Sequence, residues 1–128
     1  MKKILLVEDD ELNCDMLTRR LEKRGYSVVV AANGMEGVRA AREHLPDLIL
    51  MDLGLPSLNG WDATRRIRAA ELTRLIPVIA LTAHVMRDDR EQAYAAGADD
   101  YDTKPVDIER LIKKIDKLLI AGRPVKVA

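Results

Sequence analysis

Short apolar runs alternate with longer amphipathic segments along this chain of 128 residues. This alternation predicts repeated βα units, and therefore a parallel sheet covered by helices. The five predicted strands are Lys3–Val7, Ser27–Ala31, Leu48–Met51, Val78–Leu81 and Asp99–Tyr101. Only the second has the pattern of a half-exposed edge strand. Right-handed crossovers then favour an α/β, doubly wound five-stranded sheet of the flavodoxin type, with strand order 2-1-3-4-5.

Five predicted helices fill the gaps between the strands. They span about 11–24, 34–44, 60–70 and 85–96, and the last runs from 108 to an end at Gly122. In the first helix, Leu12, Met16, Leu17 and Leu21 lie at helical spacing, so we expect them to form its buried face. Cys14 lies off that stripe. We expect residues 1–121 to form one domain and residues 122–128 a short C-terminal tail.

The charge balance excludes some classes of partner. The chain has 21 basic and 21 acidic residues, interspersed along the predicted helix surfaces, whereas binding to nucleic acid needs a clustered basic excess. No apolar run approaches the roughly 20 residues that cross a bilayer. A single cysteine cannot form an intramolecular disulfide, so a reducing cytoplasm fits best.

A carboxylate stands where the third predicted strand ends, because Asp52 directly follows the apolar run Leu48–Met51. Ligand sites in open parallel sheets form at the carboxyl ends of the strands. The first strand is the neighbour of the third, so Glu8 and Asp9 should converge on Asp52. Such carboxylates repel one another unless a hard cation lies between them. We therefore predict a Mg²⁺ (or Mn²⁺) site offering Asp9, Asp52 and a loop carbonyl, with Glu8 acting through water.

Two further polar residues reach the same edge of the predicted sheet. Thr82 follows the fourth strand, and Lys104 follows the fifth. A hydroxyl and an ammonium beside a magnesium-bound carboxylate could hold phosphoryl oxygens. The site is therefore predicted to suit a phosphorylated aspartate.

Six short segments carry these residues: Leu6–Asp10, Leu50–Pro56, Asn59–Gly60, Leu81–Ala83, Ala96–Ala98 and Lys104–Pro105. In order and spacing they closely resemble the receiver domain of two-component response regulators, the CheY-like superfamily. The resemblance covers the chain up to about Leu119, and the combination of segments is specific although each is weak alone. It implies a signalling phosphoacceptor, which catalyses only its own phosphotransfer and dephosphorylation.

The resemblance also implies roles for the acidic residues. Asp52 would be the phosphoacceptor, attacking a phosphohistidine on a kinase or a phosphotransfer protein. Glu8 and Asp9 would be the acidic pair that holds magnesium, with Asp9 a direct ligand and the Gly54 carbonyl another. Asp10 would then start the first helix as its cap.

Further roles follow from the resemblance at the fourth and fifth strands. Lys104 would bind the phosphoryl group, and in this family its bond to Pro105 is usually cis. Thr82 would be the switch hydroxyl, and Tyr101 occupies the position of the family's rotating aromatic. Its inward turn would remodel the face of the fourth helix, fifth strand and fifth helix, where a downstream protein would bind. The alternative for Tyr101 is simple half-buried packing.

Gly54 and His84 each lie two residues after a site residue, at positions that border the phosphorylation site in receivers. We hypothesise that they modulate dephosphorylation: glycine leaves water a path to the phosphoryl group, and the imidazole screens or orients that water. The alternative for His84 is a solvent-facing side chain.

The favoured function is a single-domain response regulator that signals to partner proteins. One alternative is an isolated receiver domain of a hybrid histidine kinase or longer regulator, and another is a receiver-like scaffold that is never phosphorylated. A phosphatase-like hydrolase is disfavoured, because such enzymes usually place a second aspartate where Gly54 stands. The segment Glu11–Asn13 is similar to receivers in phosphorelays, which implies a histidine kinase or histidine phosphotransfer protein near the first helix.

Overall fold

The computed structural model describes residues 1–55, 58–83 and 87–122. Its elements alternate strictly between strand and helix. They are β1 (Lys3–Val7), α1 (Glu11–Lys23), β2 (Ser27–Ala31), α2 (Gly34–His44), β3 (Leu48–Asp52), α3 (Gly60–Ala69), β4 (Val78–Thr82), α4 (Arg87–Ala96), β5 (Asp100–Thr103) and α5 (Ile108–Ala121). The predicted C-terminal tail lies outside the described residues, apart from Gly122.

The five strands form one parallel sheet in the order β2-β1-β3-β4-β5, which confirms the predicted fold. Strands β1, β3 and β4 are almost entirely buried. Strand β5 is a half-exposed edge like β2, and it begins at Asp100 rather than Asp99. The sequence of β5 does not show the usual pattern of buried apolar residues, because its buried residue is Asp102, which pairs with Arg110 of α5.

Polar side chains fix the starts of four helices. Asp10 caps α1 by accepting hydrogen bonds from two backbone N–H groups, as predicted. Asn33, Asn59 and Asp107 cap α2, α3 and α5, each by accepting a hydrogen bond from one backbone N–H group. Each such cap contributes about 1 kcal/mol. The caps of α1, α2 and α3 also set where the loops at the carboxyl edge of the sheet turn into helix.

The buried face of α1 differs from the predicted one. Leu17 and Leu21 are buried as expected, but Leu12 is 80% exposed and Met16 is 41% exposed. Cys14 packs against the core instead, and its thiol donates to the Glu8 carbonyl at 3.3 Å. The face that meets the sheet is therefore Cys14, Leu17 and Leu21, at spacings of three and four residues. Apolar spacing alone could not tell this face from the one containing Leu12.

Apolar side chains fill both sides of the sheet. On one side Leu6 and Leu50 pack with residues of α1 and α5, and on the other Leu5 and Met51 pack with residues of α2 and α3. Burying each such side chain stabilises the fold by about 1.5–3 kcal/mol. The strand ends are thereby held rigidly at one edge of the sheet. No helix among the described residues is both long and apolar enough to cross a bilayer.

Candidate functional site

Three carboxylates meet where β1 and β3 end. One carboxylate oxygen from each of Glu8, Asp9 and Asp52 lies within 4.8 Å of the other two. Glu8 and Asp52 are buried, whereas Asp9 is exposed. Asp52 is far from Glu8 and Asp9 in the sequence, and it meets them because β1 and β3 are neighbours in the sheet. The structure thus places the predicted acidic residues in one cluster.

The backbone around Asp52 is held closely by its neighbours. The Gly54 N–H donates to Asp52 Oδ1 at 3.0 Å. At the start of α3, a Cβ on Gly60 would lie 2.2 Å from the Asp52 carbonyl oxygen, so only glycine lets α3 begin against the strand end. Gly60 therefore allows a close approach between the start of α3 and the end of β3.

The ammonium of Lys104 joins two of the carboxylates. Its Nζ lies 2.9 Å from each oxygen of Glu8 and 3.1 Å from Asp52 Oδ2. The Lys104 backbone N–H donates to the Thr82 carbonyl at 2.8 Å, and the peptide bond to Pro105 is cis. Lys104 is thus anchored to the end of β4 while its side chain reaches the acidic cluster.

Burial and hydrogen bonding divide the charge between Glu8 and Asp52. Burial and the neighbouring Asp52 raise the pKa of Glu8 to about 7, although Lys104 and Asn13 act in the opposite direction. Burial also acts to raise the pKa of Asp52, but hydrogen bonds from Glu8, Gly54 and Lys104 outweigh it and lower that pKa. The pKa of Lys104 is raised because both carboxylates outweigh its burial. Without a metal, Glu8 is therefore partly protonated near neutral pH while Asp52 is ionised.

Thr82 and Tyr101 lie on the neighbouring strands. Thr82 is the last residue of β4, is buried and pairs with Thr103 of β5. Tyr101 is half-buried on β5, with its ring edge-on to Tyr94 of α4 at 6.0 Å. Lys114 of α5 places its Nζ 5.1 Å from the same ring and donates to the Tyr101 carbonyl. Tyr101 thus touches both helices that flank β5. His84 lies outside the described residues.

Asn13 is a site residue that sequence reasoning missed. Its side-chain Nδ2 donates to Glu8 Oε1 at 3.0 Å. The available signal was the spacing Asp10-x-x-Asn13, because the third residue after a helix cap commonly turns back toward the preceding chain.

The chemistry of the donor set fits a hard divalent cation. Carboxylate oxygens of Asp9 and Asp52 are the ligands that Mg²⁺ prefers, and the exposure of Asp9 leaves room for the waters that this ion retains. The third acid in the row, Asp10, is used as the helix cap. The cluster therefore has suitable ligands for Mg²⁺.

Comparison with known proteins agrees with this arrangement. The family model described as "Response regulator receiver domain" matches residues 4–116. The polar-differentiation response regulator DivK of Brucella anthropi is 40% identical over 118 residues, which cover 92% of this chain and 96% of that protein.

Solved structures give the same result. The receiver domain of the sensor histidine kinase PA1611 from Pseudomonas aeruginosa PAO1 has a TM-score of 0.86 and 42% identity, covering 92% of this chain and 97% of that one. That structure has a magnesium ion coordinated in its active site cleft. The chemotaxis protein CheY4 of Vibrio cholerae has a TM-score of 0.87 and 27% identity, covering 91% and 98%. This chain belongs to the response regulator receiver domain family and is a two-component signalling protein.

Proposed function

We propose that Asp52 accepts a phosphoryl group from a phosphohistidine in a Mg²⁺-dependent reaction, and that the phosphorylated protein signals to partner proteins by a conformational switch. The observation that carries this proposal is the position of Lys104 Nζ, 3.1 Å from Asp52 Oδ2, beside an acidic cluster with magnesium-binding chemistry. Such a site has a carboxylate nucleophile, a cation for phosphoryl oxygens and ligands for a metal.

In this proposal Asp9, Asp52 and the Gly54 carbonyl hold Mg²⁺ or Mn²⁺, and Glu8 acts through a bound water. The metal, when bound, neutralises the charge that gathers as a phosphoryl group approaches these carboxylates. The protein residues then supply the remaining contacts.

The transfer itself needs one bond exchange. An oxygen of ionised Asp52 attacks the phosphorus, the phosphorus–nitrogen bond of the phosphohistidine breaks, and the electron pair stays on the imidazole nitrogen, which takes a proton from solvent. Lys104 and Thr82 bind the transferred oxygens. The lowered pKa of Asp52 supports its role as nucleophile, because that carboxylate is ionised at neutral pH.

Signalling would proceed from Thr82 through Tyr101 to the face formed by α4, β5 and α5. This step is supported by the contacts of Tyr101, whose ring touches Tyr94 of α4 and Lys114 of α5. Rotation of that ring would change its contacts with both helices. A downstream protein that binds this face would therefore distinguish the two states.

The phosphodonor would dock alongside α1. Leu12 and Met16 are exposed there, and Met16 also lines a cavity of about 200 Å³ with Pro105 and Val106, next to Lys104. An apolar surface beside the phosphoacceptor suits the helices of a histidine kinase or histidine phosphotransfer protein.

A cytoplasmic location accompanies this role, in keeping with the single thiol. We propose no role in binding nucleic acid or membrane.

The match to DivK over 96% of its length favours a stand-alone regulator of residues 1–121 with a short tail. The similarly strong match to the receiver of PA1611 favours the alternative, a receiver domain of a hybrid kinase.

Gly54 and His84 are proposed to tune how long the phosphoryl group survives. An unchanged phosphoryl lifetime in His84→Ala would exclude His84 from that role.

The test is to incubate the protein with Mg²⁺ and acetyl phosphate and to follow its intact mass and phosphate release. We expect the wild-type protein to take up one labile phosphoryl group. Asp52→Asn should take up none, whereas Asp15→Asn, a matched change at an exposed aspartate on α1, should be phosphorylated like the wild type. Steady phosphate release without accumulation would indicate a hydrolase. No incorporation, with or without a histidine phosphodonor, would indicate a scaffold and contradict the proposal.

A further inference from the structure

The buried carboxylate of Glu8 receives hydrogen bonds from two side chains. Lys104 Nζ contacts both oxygens at 2.9 Å, and Asn13 Nδ2 contacts Oε1 at 3.0 Å. The Glu8 side chain is 0% exposed, so bulk water does not reach it. These contacts therefore set the orientation of the Glu8 carboxylate.

The amide of Asn13 is itself held by the start of α1. Asp10 Oδ1 accepts from the backbone N–H groups of Leu12 at 2.9 Å and Asn13 at 3.4 Å. Asn13 Nδ2 also lies 3.5 Å from Asp10 Oδ2. Because the helix cap fixes both the backbone and the side chain, Asn13 presents its amide to Glu8 independently of Lys104.

The ammonium of Lys104 contacts three carboxylate oxygens in this state. An ammonium has three N–H donors. Lys104 Nζ donates to Oε1 and Oε2 of Glu8 and forms an ion pair with Asp52 Oδ2 at 3.1 Å. A phosphoryl oxygen carried by Asp52 would compete with the Glu8 oxygens for these donors. This step rests on the function proposed above.

We propose that Asn13 is a positioning residue that keeps Glu8 oriented when Lys104 leaves it for the phosphoryl group. A buried carboxylate that loses a donor must otherwise find another partner or turn. The amide of Asn13 keeps Oε1 in place, so Glu8 stays beside Asp9 and Asp52. The side-chain hydrogen bonds of Asn13 go to Glu8 and Asp10, so Asn13 acts through Glu8 and not directly on Asp9 or Asp52.

The experiment measures Mg²⁺ affinity by titration calorimetry in two states, the free protein and the protein with beryllofluoride, which imitates a phosphoryl group on a carboxylate. In free Asn13→Ala, Lys104 still holds Glu8, and we expect the affinity to fall roughly threefold or less. With beryllofluoride we expect a loss of about tenfold or more. Alanine favours helix, so α1 should form in this variant.

Two further variants separate positioning from a general structural effect. Asn13→Gln keeps the amide donor and should recover most of the affinity in the beryllofluoride state. Asn33→Ala removes the cap of α2 and should lower the thermal midpoint without changing Mg²⁺ affinity in either state. An equal loss of affinity in both states of Asn13→Ala, or the same loss in Asn33→Ala, would overturn the inference.

The measurements also distinguish an error in the role of Asn13 from an error in the proposed function. If wild-type protein binds no beryllofluoride and takes no phosphoryl group, the function itself is wrong. If it does both and Asn13→Ala matches it in Mg²⁺ affinity, only the role of Asn13 is wrong.

Discussion

Replacing Glu8 with glutamine should remove a specific pH dependence of folding in the metal-free protein. The pKa of Glu8 is raised from 4.5 to about 7, chiefly by burial. The folded protein therefore holds this proton up to about pH 7, whereas the unfolded chain releases it near 4.5. Folding takes up a proton between these values, so the stability that Glu8 contributes is fully present below the window and is lost as pH rises through it.

The size of the effect follows from the shift. At about 1.36 kcal/mol per pH unit, a pKa raised from 4.5 to about 7 limits the loss to about 3 kcal/mol. Between about pH 5 and about pH 8 we expect about 2 kcal/mol, or roughly 1 M in the urea midpoint. The lowered pKa of Asp52 acts below this range and the raised pKa of Lys104 acts above it, so neither masks the slope.

The assay is urea unfolding in chelator at several pH values, for wild type, Glu8→Gln and Glu43→Gln. Glutamine imitates the protonated carboxyl, so Glu8→Gln should lose this slope and be more stable than wild type at about pH 8. Glu43 is exposed, and its variant should keep the wild-type slope. The reasoning would be refuted if the stability of wild type and of Glu8→Gln changed in parallel with pH. It would also be refuted if the stability of wild type rose with pH relative to that of Glu8→Gln.

Three further predictions concern other parts of the molecule. Gly60→Ala should cost about 1–3 kcal/mol, because the new Cβ would meet the Asp52 carbonyl oxygen at 2.2 Å, and it should slow labelling by acetyl phosphate. Wild-type labelling in a destabilised Gly60→Ala would contradict the positional role of this glycine. Burial and nearby acids raise the pKa of Cys14 to about 11, so iodoacetamide should modify it at least about tenfold more slowly than an unfolded control; equal rates would refute this. Arg68→Ala should cost about 3–5 kcal/mol in urea unfolding, since it leaves the fully buried side chain of Asp99 without the guanidinium now 2.7 Å away. A loss below about 1 kcal/mol would show that this ion pair contributes no more than a surface pair.

Local patterns in the sequence were sufficient to predict the order of the elements and the sheet. Strands β1 and β2 and helix α2 have the predicted bounds, because runs of apolar residues and turn residues such as Gly25 and Pro46 are local signals. The grouping of Glu8, Asp9 and Asp52 also followed from sequence, since parallel strands end at one edge and the topology rules make β1 and β3 neighbours. These features depend on short-range periodicity and chain handedness.

The sequence did not determine which face of α1 packs against the sheet. Leu12 and Met16 have the spacing of a buried face, yet α1 is rotated so that Cys14 meets the sheet with Leu17 and Leu21. The spacing between apolar residues is the same for either face, so the sequence does not decide the rotation. Packing against α5 and the sheet decides it.

The sequence by itself determined which polar residues reach the carboxyl edge of the sheet, because each one lies at or just after the end of a strand. Only the tertiary structure decided how charge is distributed among them. The pKa of Glu8 depends on its burial and on Asp52, Lys104 and Asn13, and Lys104 is 96 residues away in the chain. Electrostatic energies depend on distance through space and on exclusion of water, and neither quantity can be read from sequence order.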